Sequence, residues 1–376
     1  MTTETSNKSI NVLNLNELEP LAEKTMAELY FHYYQGGACD EITLRRNREA
    51  YQQIELLPRM LVDVSQRRLT CSLFGSQLDM PILIAPMAFQ ALAHKEGELA
   101  VAAAARRHNT IMTLSTLATY SLEQVAAVAN HRWYQLYVYK DREITRELVK
   151  RAEQAGYEAL VVTVDSPLLG RREKDIRNRF HLPAGLKAAN LENFLLGEID
   201  KSADGSGLAA YIASLYDTSL TWQDLEWIIG LTKLPVLVKG IIRGDDACRA
   251  VDHGAAGIIV SNHGGRQLDT TIPTIAALPA VRSALAARGM DNDRCPILVD
   301  GGIRRGTDVL KALALGASAV LLGRPILWGL ALGGEEGVNA VLDLIRHELD
   351  LALALCGCPD INDLSADLLA QANIRI

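Results

Sequence analysis

Eight short aliphatic runs, separated by longer amphipathic stretches, constrain this chain more than any other feature. They cover residues 82–85, 111–114, 134–138, 160–164, 236–239, 257–260, 297–300 and 319–322. Between them, 96–108, 142–155, 245–253 and 307–315 repeat apolar residues at helical spacing. Strand followed by helix, repeated, points to a parallel sheet, because parallel neighbours need a long crossover to return the chain to the same edge. Eight such units favour closure into an α/β fold of the (β/α)8 TIM-barrel type, with an open doubly wound sheet as the alternative.

In a barrel all strand ends converge on one mouth, so residues just after the runs are the candidates for chemistry. Tyr137 lies within the third run and Asp165 follows the fourth. Lys239 ends the fifth, Asp300 ends the seventh, and Ser261-Asn262-His263-Gly264-Gly265-Arg266-Gln267 follows the sixth. An imidazole accepts a proton near neutral pH, and a guanidinium three residues away holds a carboxylate through paired hydrogen bonds. His263 and Arg266 therefore suit a site that binds a small acid and takes a proton from it. Asp165 suits orienting the histidine, with an ordinary ion pair as the alternative. Lys239 suits a Schiff base, a phosphate or a reduced cofactor equally.

Asp300-Gly301-Gly302-Ile303-Arg304-Arg305-Gly306 and Gly323-Arg324-Pro325 follow the seventh and eighth runs. Glycine turns with arginine at that place form the recurrent barrel phosphate site. Gly205-Ser206-Gly207-Leu208-Ala209-Ala210 fits a dinucleotide fingerprint only superficially, since no aliphatic strand precedes it. The histidines show no metal-binding spacing, so no metal is expected.

The formal net charge of −7 argues against a nucleic-acid binder, while leaving room for a local basic pocket around Arg171-Arg172 and Arg304-Arg305. No apolar run approaches the roughly 18 to 20 residues that span a bilayer. A polar start without a secretory signal, and six scattered cysteines read as reduced thiols, place the protein in the cytoplasm. All 376 residues are expected to form one domain. Residues 1–79 would be a cap with a helix over 18–34 and a hairpin, and 80–376 the barrel. The long excursion 186–217 reads as a lid over the mouth, with a subunit-contact loop as the alternative.

Taken together, Gln135-Leu136-Tyr137, Thr163-Val164-Asp165, Gly170-Arg171-Arg172, the 261–267 run and the 300–306 run resemble the FMN-dependent L-2-hydroxy-acid oxidases and dehydrogenases, from about residue 13 to the C-terminus. The resemblance implies that His263 is the base, paired with Asp165. It implies that Arg172 and Arg266 clamp the substrate carboxylate, with Tyr33 and Tyr137 bonding its carboxylate or hydroxyl. Lys239 would lie against the flavin N1/O2 edge. Pro86, Met87, Ala88, Ser115, Gln135, Thr163 and Ser261 would contact the cofactor ring region, while Asp300, Gly301, Gly302, Arg304, Gly323 and Arg324 would hold its ribityl and phosphate.

Two positions depart from the plant glycolate oxidase pattern: Met87 replaces threonine in Pro-Thr-Ala, and Leu117 replaces tryptophan in Ser-Trp-Ala. The smaller Leu117 leaves room beside the substrate's second carbon, so L-lactate is expected over glycolate, giving pyruvate, with oxidation of glycolate to glyoxylate as the alternative. O2 is the default acceptor, reduced to hydrogen peroxide, with a quinone-linked L-lactate dehydrogenase as the alternative. The resemblance also implies a homotetramer or homo-octamer. A reading from another class is a non-redox phosphate-binding barrel, such as an aldolase using Lys239.

Overall fold

The computed structural model describes residues 11–194 and 215–370. Eight parallel strands close into a barrel: β1 (Ile82–Ile84), β2 (Ile111–Ser115), β3 (His131–Leu136), β4 (Ala159–Thr163), β5 (Val236–Ile241), β6 (Gly257–Val260), β7 (Ile297–Asp300) and β8 (Ala319–Leu322). Each pairs with its sequence neighbour, and β8 returns to β1 with Val320 opposite Ile82. Alternation along the strands divides the core in two. Ile84, Leu114, Leu136, Val162, Val238, Val260, Val299 and Leu322 belong to the larger core cluster that includes the surrounding helices, while Leu83, Trp133, Val161, Leu237, Ile259, Leu298 and Leu321 fill the barrel. Each such side chain contributes about 1.5–3 kcal/mol of burial.

The antiparallel hairpin Cys71–Leu73 and Ser76–Leu78 plugs the N-terminal end of the barrel. Its Leu73 and Leu78 join the inner core, and Phe74 at its tip meets Trp133 edge-on at 5.8 Å. Function is thereby confined to the opposite mouth.

The third strand differs from expectation. It begins at His131 and ends at Leu136, so Tyr137 stands one residue beyond it. Its polar start is tolerated because His131 meets Glu158 at 2.9 Å and Arg132 donates to the carbonyls of Ala129, Asn130 and Ala155. The expected helix 18–34 is two, Leu18–Thr25 and Glu28–Gln35, divided at Met26 and Ala27 by extended backbone. The bend lets the first pack on the helical segment Arg324–Leu355, which is broken at Gly333 and Gly334, while the second carries Tyr33 and Tyr34 to the mouth. Of the expected lid 186–217, residues 195–214 lie outside the described residues, as does the Gly205 to Ala210 segment; 189–194 form a 3-10 turn, and Tyr216 pairs with Tyr139.

The helix Ile42–Gln52 has no strong apolar periodicity and was not expected. It is set against the turn after β6 by two devices. Asp269 accepts from the backbone N–H groups of Ile42 and Thr43 at 3.2 and 2.8 Å, satisfying its first turn. Asn47 and Asn262 exchange reciprocal amide hydrogen bonds, both 2.8 Å. Asn47→Ala removes both bonds and leaves the buried Asn262 amide short of partners, at a cost of about 1–3 kcal/mol. A lower denaturant midpoint at unchanged m-value is the expected result.

Candidate active site

Inward-facing residues at the strand ends floor a single mouth: Ser115 (β2), Gln135 (β3), Thr163 (β4), Lys239 (β5) and Asp300 (β7). Lys239 Nζ donates to Ser261 Oγ at 2.9 Å and lies 3.3 Å from Asp300 Oδ2. Ser261, expected on the wall, is fully buried behind Lys239; its Oγ also accepts the His263 backbone N–H at 3.1 Å. It positions two pocket residues from outside the pocket.

The turn after β6 requires left-handed backbone at three successive residues, His263, Gly264 and Gly265, with φ of 58, 63 and 75°. A Cβ on Gly265 would sit 2.7 Å from Leu44 N, so the turn presses directly on the Ile42–Gln52 helix. His263 Nδ1 meets Asp165 Oδ1 at 2.8 Å, which leaves Nε2 as the nitrogen for a ligand. Ser166 Oγ donates to the same carboxylate oxygen at 3.0 Å. Asp165 itself lies behind the histidine and off the pocket wall.

Burial lowers the His263 pKa; Asp165 opposes this, while Lys239 and Arg172 add to it, so the imidazole is neutral near pH 7. Burial would raise Asp165, but the charge and hydrogen bond of His263, then Lys239, hold its carboxyl below the usual range. The pair is thus a neutral base backed by a carboxylate.

Facing it are two cations. Arg266 anchors one arm by donating to the carbonyls of Tyr33 and Gly36 at 2.6 and 2.9 Å, and its guanidinium lies 5.1 Å from the Tyr33 ring. Arg172 is held by long 3.4 Å contacts to Arg266 O and Gln267 Oε1. Burial, with Arg172 next, pushes Arg266 down to about 10. Two adjacent like charges, each half-buried, are relieved by an anion between them, and a carboxylate matches their geometry. Burial raises the Tyr33 and Tyr137 hydroxyls, which stay protonated as donors.

The far end of the pocket is lined by Gly301, Gly302, Arg304, Gly323 and Arg324. Gly302 has φ 87°, and a Cβ there would fall 2.0 Å from Asn47 O, so only glycine fits between the helix and this wall. Burial brings Arg304 to about 10, with Arg48 next, and Arg324 to about 9, with Arg266 and Arg304 next. Arg324 donates to the carbonyls of Tyr34, Gly264 and Gly36, which fixes it at the start of the helix Arg324–Leu355. Fixed cations at a helix N-terminus suit a phosphate. By contrast, Asp308 accepts from the backbone N–H groups of Arg304 and Arg305, so the helix Gly306–Ala314 is capped internally.

Between these ends, Pro86, Met87, Ala88 and Leu117 form an apolar wall. Gln135 Nε2, Thr163 Oγ1 and Asp300 Oδ1 are buried on the pocket floor without protein partners. Such a row of orphaned donors and acceptors fits the polar edge of a planar heterocycle and the hydroxylated chain leading to a phosphate. The site residues expected from sequence line this pocket except Asp165 and Ser261, which stand directly behind it, and Arg171 and Arg305 of the expected basic pocket, which point away and pair with Glu173 and Glu348.

Three contributors were missed. Gln267 was within a recognised motif but given no role; its amide donates to the Asp165 and Leu168 carbonyls at 3.0 and 2.8 Å and its oxygen accepts from Gly170 N at 3.1 Å, tying the loops after β4 and β6 together. Tyr34 lines the pocket and donates to Phe89 O at 2.5 Å. Tyr216 stacks on Tyr137 at 4.5 Å. The adjacent tyrosines were the only available signal for Tyr34, and none distinguished Tyr216. Among the described residues no cluster suits a metal ion, and no helix is long and apolar enough to cross a membrane.

Residues 22–371 match the model of the family described as FMN-dependent dehydrogenase. An L-lactate oxidase of Nostoc sp. is 53% identical over 362 residues, covering 95% of this chain and 98% of the relative. A glycolate oxidase of Spinacia oleracea is 49% identical over 362 residues, covering 96% of each. Among solved structures, a soluble mutant of the membrane-associated (S)-mandelate dehydrogenase from Pseudomonas putida superposes with a TM-score of 0.87 at 41% identity, covering 96% of this chain and 99% of that one. The orphaned floor atoms and the arginine-lined end of the pocket fit the cofactor that this kinship implies, and the chain belongs to the FMN-dependent dehydrogenase family, with FMN as its cofactor.

Proposed function

We propose that the protein oxidises L-lactate to pyruvate and passes the two electrons through FMN to O2, yielding hydrogen peroxide. The observation that carries the oxidative reading is the His263–Asp165 pair at 2.8 Å, whose histidine lines the same pocket as Arg172, Arg266 and Lys239. Bound FMN supplies the two-electron acceptor that a 2-hydroxy acid needs to become a 2-oxo acid. Gln135, Thr163, Lys239 and the backbone of 86–88 would hold its ring, with Asp300, Gly302, Arg304, Gly323 and Arg324 around its ribityl and phosphate.

Arg172 and Arg266 bind the substrate carboxylate, and the protonated hydroxyls of Tyr33 and Tyr137 orient the acid between them. His263 Nε2 accepts the proton released as the substrate is oxidised. Asp165 stabilises the resulting imidazolium and keeps Nδ1 occupied. Lys239, held by Ser261 and Asp300, sets a positive charge where electron density arrives.

Leu117 and Met87 on the apolar wall favour a methyl-bearing substrate over glycolate, because a leucine leaves volume that an indole would fill. The same pocket volume bears on the relatives' different named substrates, so a side-by-side comparison decides the preference. Anaerobic addition of L-lactate should bleach the flavin, and air should restore it with one peroxide per turnover. Failure of air to reoxidise it would point to a quinone acceptor, and a protein without flavin absorbance would point to a non-redox barrel.

Leu117→Trp is expected to lower kcat/KM for L-lactate about tenfold or more while glycolate is affected less. Steady-state kinetics with both acids read this directly, and a higher wild-type kcat/KM for glycolate would defeat the lactate assignment. The base must be neutral to act, so kcat/KM should hold above the His263 pKa and fall as pH drops through it; burial moves that limb below the usual imidazole range. Asp165→Asn removes the group that raises the imidazole pKa, which moves the limb to still lower pH and weakens the base. A loss of kcat of about 100-fold or more is expected.

A further inference from the structure

Glu98 lies outside the pocket, in the first turn of the helix Gly97–Arg107, and is fully buried. Its hydrogen-bond partners are all neutral. Oε1 accepts from Gln90 N at 3.0 Å and from Thr119 N at 2.9 Å, and Oε2 accepts from the Thr119 hydroxyl. Those partners end two different loops. Gln90 follows the Pro86-Met87-Ala88 stretch after β1, and Thr119 follows Leu117 after β2.

The two loops also meet through Phe89 N and Leu117 O at 2.9 Å, and Thr119 Oγ1 accepts from Ala91 N at 3.3 Å. Tyr34 holds the first loop from its other side, donating to Phe89 O. One carboxylate therefore gathers three donors from two loops at a place sealed from water, where the start of its own helix favours negative charge. A neutral apolar side chain there would strand the Gln90 and Thr119 N–H groups and let the loops separate.

We propose that Glu98 is a positioning residue for substrate selection: by clamping the loop that carries Met87 to the loop that carries Leu117, it fixes the pocket width beside the substrate's second carbon. This rests on the oxidase reading above. It assigns Glu98 no contact with substrate or cofactor and no proton transfer.

The test compares holoenzymes of wild type, Glu98→Gln and Glu98→Leu. Glutamine keeps an oxygen for both backbone N–H groups and an amide that can donate to Thr119 Oγ1, so its kcat/KM ratio for L-lactate over glycolate should stay within about threefold of wild type. Glu98→Leu should lower that ratio about tenfold or more, through L-lactate. Titration of the flavin absorbance gives a reading without turnover: pyruvate, which has a methyl group, should bind about tenfold more weakly to Glu98→Leu, while oxalate, which has none, should stay within about twofold.

An unchanged ratio in Glu98→Leu, equal losses for both acids, or a Glu98→Gln variant as impaired as Glu98→Leu would overturn the proposal. Should Glu98→Leu fail to fold, Thr119→Val, which removes the hydroxyl arm alone, decides it: a ratio shifted toward glycolate supports the clamp, and an unmoved ratio overturns it. A wild-type flavin reduced by neither acid would instead overturn the functional reading itself.

Discussion

The reciprocal amide pair between Asn47 and Asn262 is the contact on which the site's architecture turns. Asn262 lies in the turn that presents His263 and Arg266, and Asn47 lies on a helix before the barrel begins. The same helix closes on Gly265 through Leu44 and on Gly302 through the Asn47 carbonyl. One element outside the barrel thus fixes His263, Arg266 and the Gly302 wall of the pocket relative to one another. A barrel strand end alone could not do so, because the turn after β6 runs through left-handed backbone at three successive residues and needs an external brace.

The electrostatics depend on that rigidity. Lys239, Arg266, Arg304 and Arg324 are all drawn out of water around one pocket, and burial lowers the affinity of all three arginines for their protons. Such an arrangement costs stability in the protein alone and is offset by anions bound between the cations. The carbonyls of Tyr34, Gly36 and Gly264 keep the cations aimed inward. Within this positive field a neutral His263 is favoured, and Asp165 stops the bias from making the imidazole too weak a base.

Much of the site was legible in the sequence because the barrel converts order along the chain into position. A polar residue closing an inward-facing strand, such as Lys239 or Asp300, must face the mouth, and period-two alternation identifies it. Ser261 obeyed the same rule but ended behind Lys239, since proximity to the mouth does not say which of two adjacent side chains stands in front. Gln267 and Asn47 had no such signal. Their partners are far away in the chain, and nothing in the local pattern of a polar helix or a loop amide names them. The break at Met26 and Ala27 was hidden for the same reason, since the helix divides to satisfy two distant surfaces.

The sequence by itself determined the barrel, its functional end, the flavin kinship and the residues that meet there, because strand period and motif spacing are local properties. The tertiary structure alone decided which groups touch: the 2.8 Å His263–Asp165 contact, the brace of Asn47 on Asn262, and the buried carboxylate of Glu98 joining the loops of Met87 and Leu117. Those contacts fix protonation and pocket width, and both depend on distances and burial that arise only when remote segments pack together.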